Sequence, residues 1–112
     1  MLFAMEKQHF FCKLIPPRPT FVEDMTDEER LLMHEHGRYT RQHFLDGKIL
    51  IYGPVFASAG PFGVSVFEVS SEAEARQLIE NDPTVRSGLN KFELSPMILG
   101  AARAGDQESA RQ

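Results

Sequence analysis

The chain has 112 residues, which is enough for one domain with a real hydrophobic core and too short for two. Its content of 42% hydrophobic and 25% charged residues is close to the average of globular domains and argues against global disorder or a fibrous fold. The 12 Lys and Arg residues against 16 Asp and Glu residues leave a net charge of −4, which argues against a nucleic-acid partner bound through a general positive field.

Cysteine content and hydropathy predict a cytoplasmic protein. The single cysteine, Cys12, excludes a disulfide within the chain and any multi-cysteine metal site, and its apolar neighbours predict that it is buried. No apolar stretch approaches the roughly 18 residues that cross a bilayer. Residues Met1 to Lys7 contain neither a basic leader with an apolar segment nor a small-residue cleavage site. We therefore expect a reducing compartment and no membrane partner.

The first half of the chain predicts a strand and a helix. The aromatic and aliphatic run from His9 to Ile15 is typical of a strand, and the prolines that follow it stop the strand sharply. Thr26 and Glu29 fit a capping box, in which the threonine hydroxyl caps the helix and the glutamate reaches back to the cap. The helix is predicted to run to Leu45, because Gly47 suits the left-handed turn that ends many helices.

The middle of the chain predicts a β-hairpin. Residues 48–56 are typical of a strand, in which Gly53-Pro54 indicates a bulge, an edge position or a kink. The turn-rich segment 57–63 then leads into residues 63–69, which alternate as a half-buried strand does.

The last third predicts a helix, a short helical turn and a final strand. Ser71 and Glu74 fit a second capping box, which opens a helix that ends near Asn81. Asp82 before Pro83 is typical of a helix N-cap followed by proline at the first helical position, so a short helical turn is predicted to begin there. The last strand is predicted at residues 89–97.

The order of these elements, β-α-β-β-α-β, predicts an α+β, ferredoxin-like fold: a four-stranded antiparallel sheet with both helices on one face. We predict that this domain occupies residues 9–99, between an N-terminal extension (1–8) and a flexible C-terminal tail (100–112). Because the strands carry Phe, Val, Ile and Leu on both sides, the second face of the sheet needs a cover. We expect a second copy of the chain to supply it, in a homodimer whose two sheets pack face to face.

Four histidines raise the question of a metal site, and the geometry of the predicted helix argues against one. At about 100° per residue, His36 and His43 share the arc that faces the sheet, and His34 points to solvent. His36 and His43 lie about 10 Å apart along the helix axis, too far to bind one ion, so no metal is expected. The other residues predicted on the inward arc are Leu32, Met33, Tyr39, Thr40 and Phe44, and those predicted on the solvent side are Arg30, Arg38 and Arg41.

His36 and Asp82 each allow a structural and a functional interpretation. His36 is either a core histidine with satisfied ring nitrogens or a general base or acid, because an unperturbed imidazole titrates near neutral pH. Asp82 either caps the short helical turn and nothing more, or accepts the proton of a histidine nitrogen, which fixes the ring tautomer and supports an imidazolium. The distance along the chain allows the two residues to pair, but no periodicity demonstrates it.

Two further residues are candidate substrate ligands. Arg18, in the proline-rich turn, is either a bidentate ligand of an anionic group or a surface charge on a rigid loop. Tyr39 offers a hydroxyl on the inward arc, where a half-buried aromatic residue is the commoner explanation. The chain has no Gly-rich nucleotide motif, zinc-protease helix or nucleophile elbow, so no cofactor is expected.

The order and spacing of several segments resemble the YCII-related family, small proteins of the dimeric α/β-barrel superfamily. The resemblance covers roughly residues 10–97, and its segments are LIPPRPTF (14–21), the helix with Glu35-His36 and Tyr39, Asp46-Gly-Lys, Tyr-Gly-Pro (52–54), GPFGVSVFEV (60–69), SSEAEAR (70–76) and NDPTVRSGL (81–89). The resemblance implies a histidine–aspartate pair as the active site, at His36 and Asp82. Proteins of the superfamily include cofactor-free isomerases, dehalogenating lyases and monooxygenases.

These observations lead to three hypotheses. In the first, the chain is a small cofactor-independent isomerase or lyase, in which His36 moves a proton next to a carbonyl of a small, cyclic substrate and Asp82 orients its ring. Arg18 or Tyr39 then binds the substrate oxygens. In the second, the chain is a non-catalytic module that binds a small ligand or a partner protein. In the third, it is a cofactor-free monooxygenase that uses substrate-activated oxygen.

Overall fold

The structure, a computed structural model, describes residues 6–103. Within that range the chain forms four strands and four helices: β1 (Gln8–Ile15), α1 (Phe21–Asp24), α2 (Asp27–Leu45), β2 (Ile49–Ala57), β3 (Gly60–Val69), α3 (Glu72–Glu80), α4 (Pro83–Arg86) and β4 (Lys91–Met97). None of these helices is both long and apolar enough to cross a membrane. The predicted N-terminal extension and C-terminal tail lie partly outside the described residues, which omit 1–5 and 104–112.

The four strands form one antiparallel sheet in the order β2-β3-β1-β4. The predicted α+β, ferredoxin-like fold is therefore confirmed, with α2 and α3 as its two principal helices. The predicted helical turn after Asp82 is α4. Helix α1 was not predicted, because a single turn of four residues is too short to carry a periodic pattern.

The β2–β3 hairpin is longer than the sequence predicts. β3 begins at Gly60 rather than at residue 63, and only two residues, 58 and 59, connect the strands. Gly60 has φ +133°, a backbone conformation that glycine adopts without strain. Pro61 has no N–H to donate to a neighbouring strand. Because β3 pairs with β1 only from Gly63 onward, β1 loses no hydrogen bond at Pro61.

The Gly53-Pro54 dipeptide lies in an edge strand, β2, which is one of the three options that the sequence left open. Both residues keep regular pairing with β3, so the strand does not bulge there. The irregularity in the register lies between Ile49 and Ile51 instead. At the other end of the sheet, β4 begins at Lys91 rather than at residue 89, because the preceding residues complete the turn after α4.

The hydrophobic core lies between the helices and one face of the sheet. β1 contributes Phe10, Cys12 and Leu14, which alternate with half-buried residues that face the other way. The buried members of the core are Phe10, Cys12, Leu14, Ile49, Phe67, Val69, Ala75, Leu78 and Ile79. Burial raises the pKa of the Cys12 thiol to about 12, which keeps it neutral at physiological pH and unsuited to act as a nucleophile.

The opposite face of the sheet, here called the open face, carries apolar side chains with no cover in the described chain. Phe11 of β1 pairs with Val66 of β3, and Val66 pairs in turn with Ile51 of β2, so the three form a row across the sheet. Ile51 is 61% exposed. Exposed apolar surface of this kind on a sheet face is typical of a protein interface.

Of the two predicted capping boxes, the first forms completely and the second in part. Thr26 Oγ1 accepts a hydrogen bond from the Glu29 amide, and the Glu29 carboxylate accepts one from the Thr26 amide, which completes the capping box. Ser71 Oγ likewise accepts from the Glu74 amide, but the Glu74 carboxylate accepts from the amide of Ser70, one residue before the cap.

Replacing the cap of α2 tests how much this box stabilises the fold. We expect Thr26→Ala to lower the free energy of unfolding by about 1 kcal/mol, because the first turn of the helix loses a hydrogen-bond acceptor. Thr26→Ser keeps the hydroxyl and should retain most of the stability. Urea denaturation followed by circular dichroism measures the difference, and equal losses in the two variants would contradict the capping role.

Candidate active site

Helix α2 turns the predicted residues toward the sheet. His36, Tyr39 and His43 are half-buried on the inward side, and His34 is exposed, as the helical periodicity predicts. Arg41 corrects the prediction, since it is half-buried rather than solvated; a long aliphatic stem lets an arginine lie along the protein surface. In residues 6–103, no group of three or more His, Cys, Asp or Glu side chains is arranged to hold a metal ion.

His36 and Asp82, 46 residues apart in the chain, form a hydrogen bond. The distance between His36 Nδ1 and Asp82 Oδ2 is 2.6 Å. Burial acts to raise the pKa of Asp82, but hydrogen bonds from His36 and Thr84 outweigh it and hold that pKa below its usual value. The carboxylate is therefore ionised and can only accept, so Nδ1 carries the proton that is donated to it. This arrangement leaves the lone pair of the imidazole on Nε2.

Asp82 both caps α4 and binds His36, so capping is not its only contact. Its Oδ1 caps α4, accepting hydrogen bonds from the Thr84 amide at 2.8 Å and from Thr84 Oγ1 at 2.6 Å, and its Oδ2 binds His36. The side chain is 1% exposed, and Pro83 follows it at the start of the helix. A carboxylate with a cap on one oxygen and an imidazole on the other is rigidly oriented.

A cavity of about 290 Å³ lies beside this pair, between α2, α3 and the helix-facing side of the sheet. Its wall is mostly apolar. The polar side chains in the wall are those of His36, Tyr39, Thr40, Tyr52, Ser65, Asp82 and Asn90. No hydrogen bond within residues 6–103 engages Nε2 of His36, whose side chain is 21% exposed. A mostly apolar pocket with a few polar groups and an unengaged basic nitrogen is suited to a small organic ligand.

Tyr39 lies in the cavity wall, with its hydroxyl already engaged. The Tyr39 hydroxyl donates to the carbonyl oxygen of Leu78 at 2.7 Å. Burial, and secondarily the charge of Asp82, raises the pKa of Tyr39 to about 12, so the phenol stays protonated. Its oxygen can still accept a hydrogen bond. On its other side the Tyr39 ring packs edge-on against His43, with ring centroids 4.5 Å apart.

Arg18 lies outside the cavity wall. Its guanidinium donates four hydrogen bonds: two to Asp24, at 2.8 and 3.0 Å, and two to the Glu29 carboxylate, at 2.7 and 3.0 Å. It also lies over the ring of Phe21, 5.3 Å from the centroid. These contacts connect the proline-rich turn to the start of α2. A contact between Arg18 and a substrate stays a prediction.

The pair formed by Arg18 and Glu29 makes part of the stability depend on pH. The hydrogen bond from Arg18, and after it that from the Thr26 amide, lowers the pKa of Glu29 to about 2. A carboxylate with a lowered pKa stabilises the fold above its unfolded pKa, about 4.3, and this contribution is lost as the pH falls through the folded value.

We therefore expect the difference in melting temperature between the wild type and Glu29→Gln to be constant above about pH 6 and to shrink between about pH 5 and pH 2. Thermal denaturation at a series of pH values measures it. In an Arg18→Leu background, which removes the main donor, the pH-dependent part should be much smaller. A difference that persists undiminished at pH 2 would contradict this role for the pair.

Two residues near the site were not predicted from the sequence. Thr84 donates twice to Asp82, and the N-cap pattern does contain a signal for it, because a capping aspartate accepts from the residues two and three positions later. Asn90 lines the cavity, and nothing in the sequence indicates it, since a polar residue beside a predicted strand is typical of a loop.

The comparisons with known proteins agree with this fold. A solved structure of 5-chloro-2-hydroxyhydroquinone dehydrochlorinase (TftG) from Burkholderia phenoliruptrix AC1100, in complex with 2,5-dihydroxybenzoquinone, superposes with a TM-score of 0.55. The alignment covers 81% of this chain and 95% of that chain at 18% sequence identity, and at that identity the likeness concerns the fold alone. No protein with a curated description matches the sequence. Residues 9–98, most of the chain, match the YCII-related domain, and the chain therefore belongs to the YCII-related family.

Proposed function

We propose that this chain is a cofactor-independent enzyme of the isomerase or lyase type, in which His36 transfers a proton and Asp82 orients its ring. One observation carries the proposal: the 2.6 Å hydrogen bond from His36 Nδ1 to a buried carboxylate leaves the basic nitrogen Nε2 unengaged beside a cavity. A histidine that serves only to pack the core would have both ring nitrogens satisfied or its ring enclosed.

In this proposal Nε2 removes a proton from a carbon or hydroxyl next to a carbonyl of the substrate. The resulting imidazolium is stabilised by Asp82, which Thr84 holds in place through the other carboxylate oxygen. Return of the proton to a different atom of the substrate completes an isomerisation. In a lyase, the electron pair of the broken C–H or O–H bond forms a new double bond, and an anion departs from the substrate. The proton held on Nε2 then passes to the departing anion. Neither route needs an external oxidant or reductant.

The proposed substrate is a compact, hydroxylated ring that carries or can form a carbonyl. A cavity of about 290 Å³ with a mostly apolar wall suits a single ring. TftG, which shares the fold, is a dehydrochlorinase of a chlorinated hydroxyhydroquinone, and this supports the same class of compound as a first choice. Tyr39 would bind a substrate hydroxyl through its oxygen, because its own proton is donated to Leu78. Arg18 is assigned no role in this proposal, since four of its five N–H donors bind Asp24 and Glu29.

We also propose that the chain acts as a homodimer whose open faces pack against each other. The row of Phe11, Val66 and Ile51 supplies an apolar centre for such an interface. Two titratable side chains on the open face have contacts within the chain: His9 Nε2 lies 3.0 Å from Glu68, and Lys13 lies 4.6 Å from the centroid of the Phe62 ring.

The proposed compartment is the cytoplasm. Support comes from Cys12, a free and fully buried thiol that serves as a small apolar residue of the core and needs no oxidising environment.

Turnover of a small panel tests the proposed function. The purified chain is incubated with chlorinated and unchlorinated hydroxyhydroquinones, without air, and chloride release and deuterium incorporation from D₂O are followed by NMR. The proposal expects one of these signals from the wild type and its loss in His36→Gln. A ligand that binds equally well to both proteins without turnover would favour the non-catalytic binding module. In a parallel incubation with air, oxygen consumption that requires both the protein and the ring compound would favour the monooxygenase.

A further inference from the structure

A buried carboxamide lies in the wall of the cavity with its oxygen atom unpaired. Asn90 is 4% exposed and lines the cavity beside His36. Its Nδ2 lies 3.7 Å from the sulfur of Met33, a weak acceptor, and its Oδ1 is buried with no hydrogen-bond partner in the described part of the chain. Turning the amide by 180° exchanges the two atoms and leaves both of them unpaired, because the thioether sulfur of Met33 can accept a hydrogen bond but cannot donate one.

An unpaired buried amide is costly for the fold. A polar atom removed from water without a partner destabilises a protein, whereas an apolar side chain of the same shape at that position does not. The local backbone does not require an asparagine at position 90. The backbone N–H of Asn90 donates to the carbonyl oxygen of Thr84 at 3.0 Å, and any residue other than proline could make this bond. The unused capacity of the side chain therefore suggests a partner that comes from outside the chain.

The position of Asn90 is coupled to that of the His36–Asp82 pair. Thr84, which is fully buried, donates twice to Asp82 and accepts from the Asn90 amide. Between them, Gly88 has φ +83°, which returns the chain from α4 toward β4. One short segment, residues 82–90, therefore supplies both the carboxylate that orients the imidazole and a carboxamide to the same cavity.

We propose that Asn90 is a positioning residue that binds a hydroxyl of the ring-shaped ligand through its carboxamide oxygen, while His36 acts on a second oxygen or its neighbouring carbon. This inference rests on the proposed function, because it names a polar group that the ligand of the same cavity carries. Met33, the side chain against the amide, is unbranched and adaptable, so it moves aside when the ligand enters. The pocket is thereby selective for rings with two oxygen substituents over rings with one.

Binding of matched pairs of simple compounds tests this selectivity without any turnover. The three benzenediols and the three methylphenols of the same substitution pattern differ by one hydroxyl replaced by a methyl group of nearly equal size. Dissociation constants are measured by NMR titration, without air, for the wild type, Asn90→Leu, Asn90→Ala and the control Asn81→Leu, which changes an exposed asparagine outside the cavity wall.

We expect the wild type and Asn81→Leu to bind at least one diol about tenfold more tightly than its methylphenol, since a buried polar partner rejects an analogue that lacks the hydroxyl. Both Asn90 variants should lose this preference while their melting temperatures stay close to that of the wild type. A preference that survives in either folded Asn90 variant, or that the wild type lacks, overturns the inference. So does a melting temperature that falls in both variants with the preference unchanged. Wild-type turnover in His36→Gln would remove the proposed function and leave this binding result valid.

Discussion

His36→Gln is expected to lower kcat by roughly 10²- to 10⁴-fold, the usual contribution of a positioned general base, with little change in ligand affinity. Glutamine keeps a polar group of similar reach on α2 but cannot take up a proton. Asp82→Asn is expected to have an effect of similar size for a different reason. Its oxygen can still accept from Thr84, but its amide group then faces Nδ1 of His36, which has to become an acceptor. The ring proton moves to Nε2, and the imidazole enters the cavity as a donor rather than as a base.

Steady-state kinetics on whichever compound of the panel is turned over measures both effects. His34→Gln is the matched control, because it makes the same substitution on the exposed side of the same helix and should leave kcat unchanged. Circular dichroism and melting temperatures check that each variant is folded. Full activity in either His36→Gln or Asp82→Asn would exclude this pair as the acid–base machinery.

Val66→Glu is expected to convert a dimer into a monomer. Val66 lies at the centre of the open face, between Phe11 and Ile51, so a dimer that packs these faces together would bury the new carboxylate without a partner. A penalty of several kcal/mol raises the dissociation constant of the dimer by roughly 100-fold or more. Analytical ultracentrifugation at micromolar concentration should show the mass of two chains for the wild type and 12.7 kDa for the variant.

Leu31→Glu provides the control for this experiment, since it places the same charge on a 66% exposed leucine of α2, on the helical side of the molecule. That variant should remain a dimer. A monomeric wild type, or a Val66→Glu variant that still sediments as two chains, would contradict a dimer that packs the open faces together.

The elements that were predicted correctly are those whose signals are local. The capping box at Thr26 and Glu29, the proline after Asp82 and the inward position of His36 on its helix each depend on residues within a few positions of one another. Errors occurred where pairing between strands, rather than a local turn signal, decides where a strand begins. The β2–β3 hairpin extends further than its turn-rich sequence indicates, because the two strands pair through Pro54 and Pro61. Each proline lies where its own strand pairs with one neighbour only, so its missing N–H costs no bond to a second strand.

The sequence alone determined the order of the strands and principal helices, the ferredoxin-like fold and the side of α2 on which His36 lies. These features depend on hydrophobic periodicity and helix caps, which are properties of short stretches of chain. Only the tertiary structure showed that Asp82 lies 2.6 Å from the His36 ring and that Arg18 binds Asp24 and Glu29. It also showed that Asn90 is buried, with an unpaired oxygen, in the wall of the cavity beside His36. The physical reason is that these contacts join residues far apart in the chain, or depend on how loops fold, and packing against a common sheet determines their geometry.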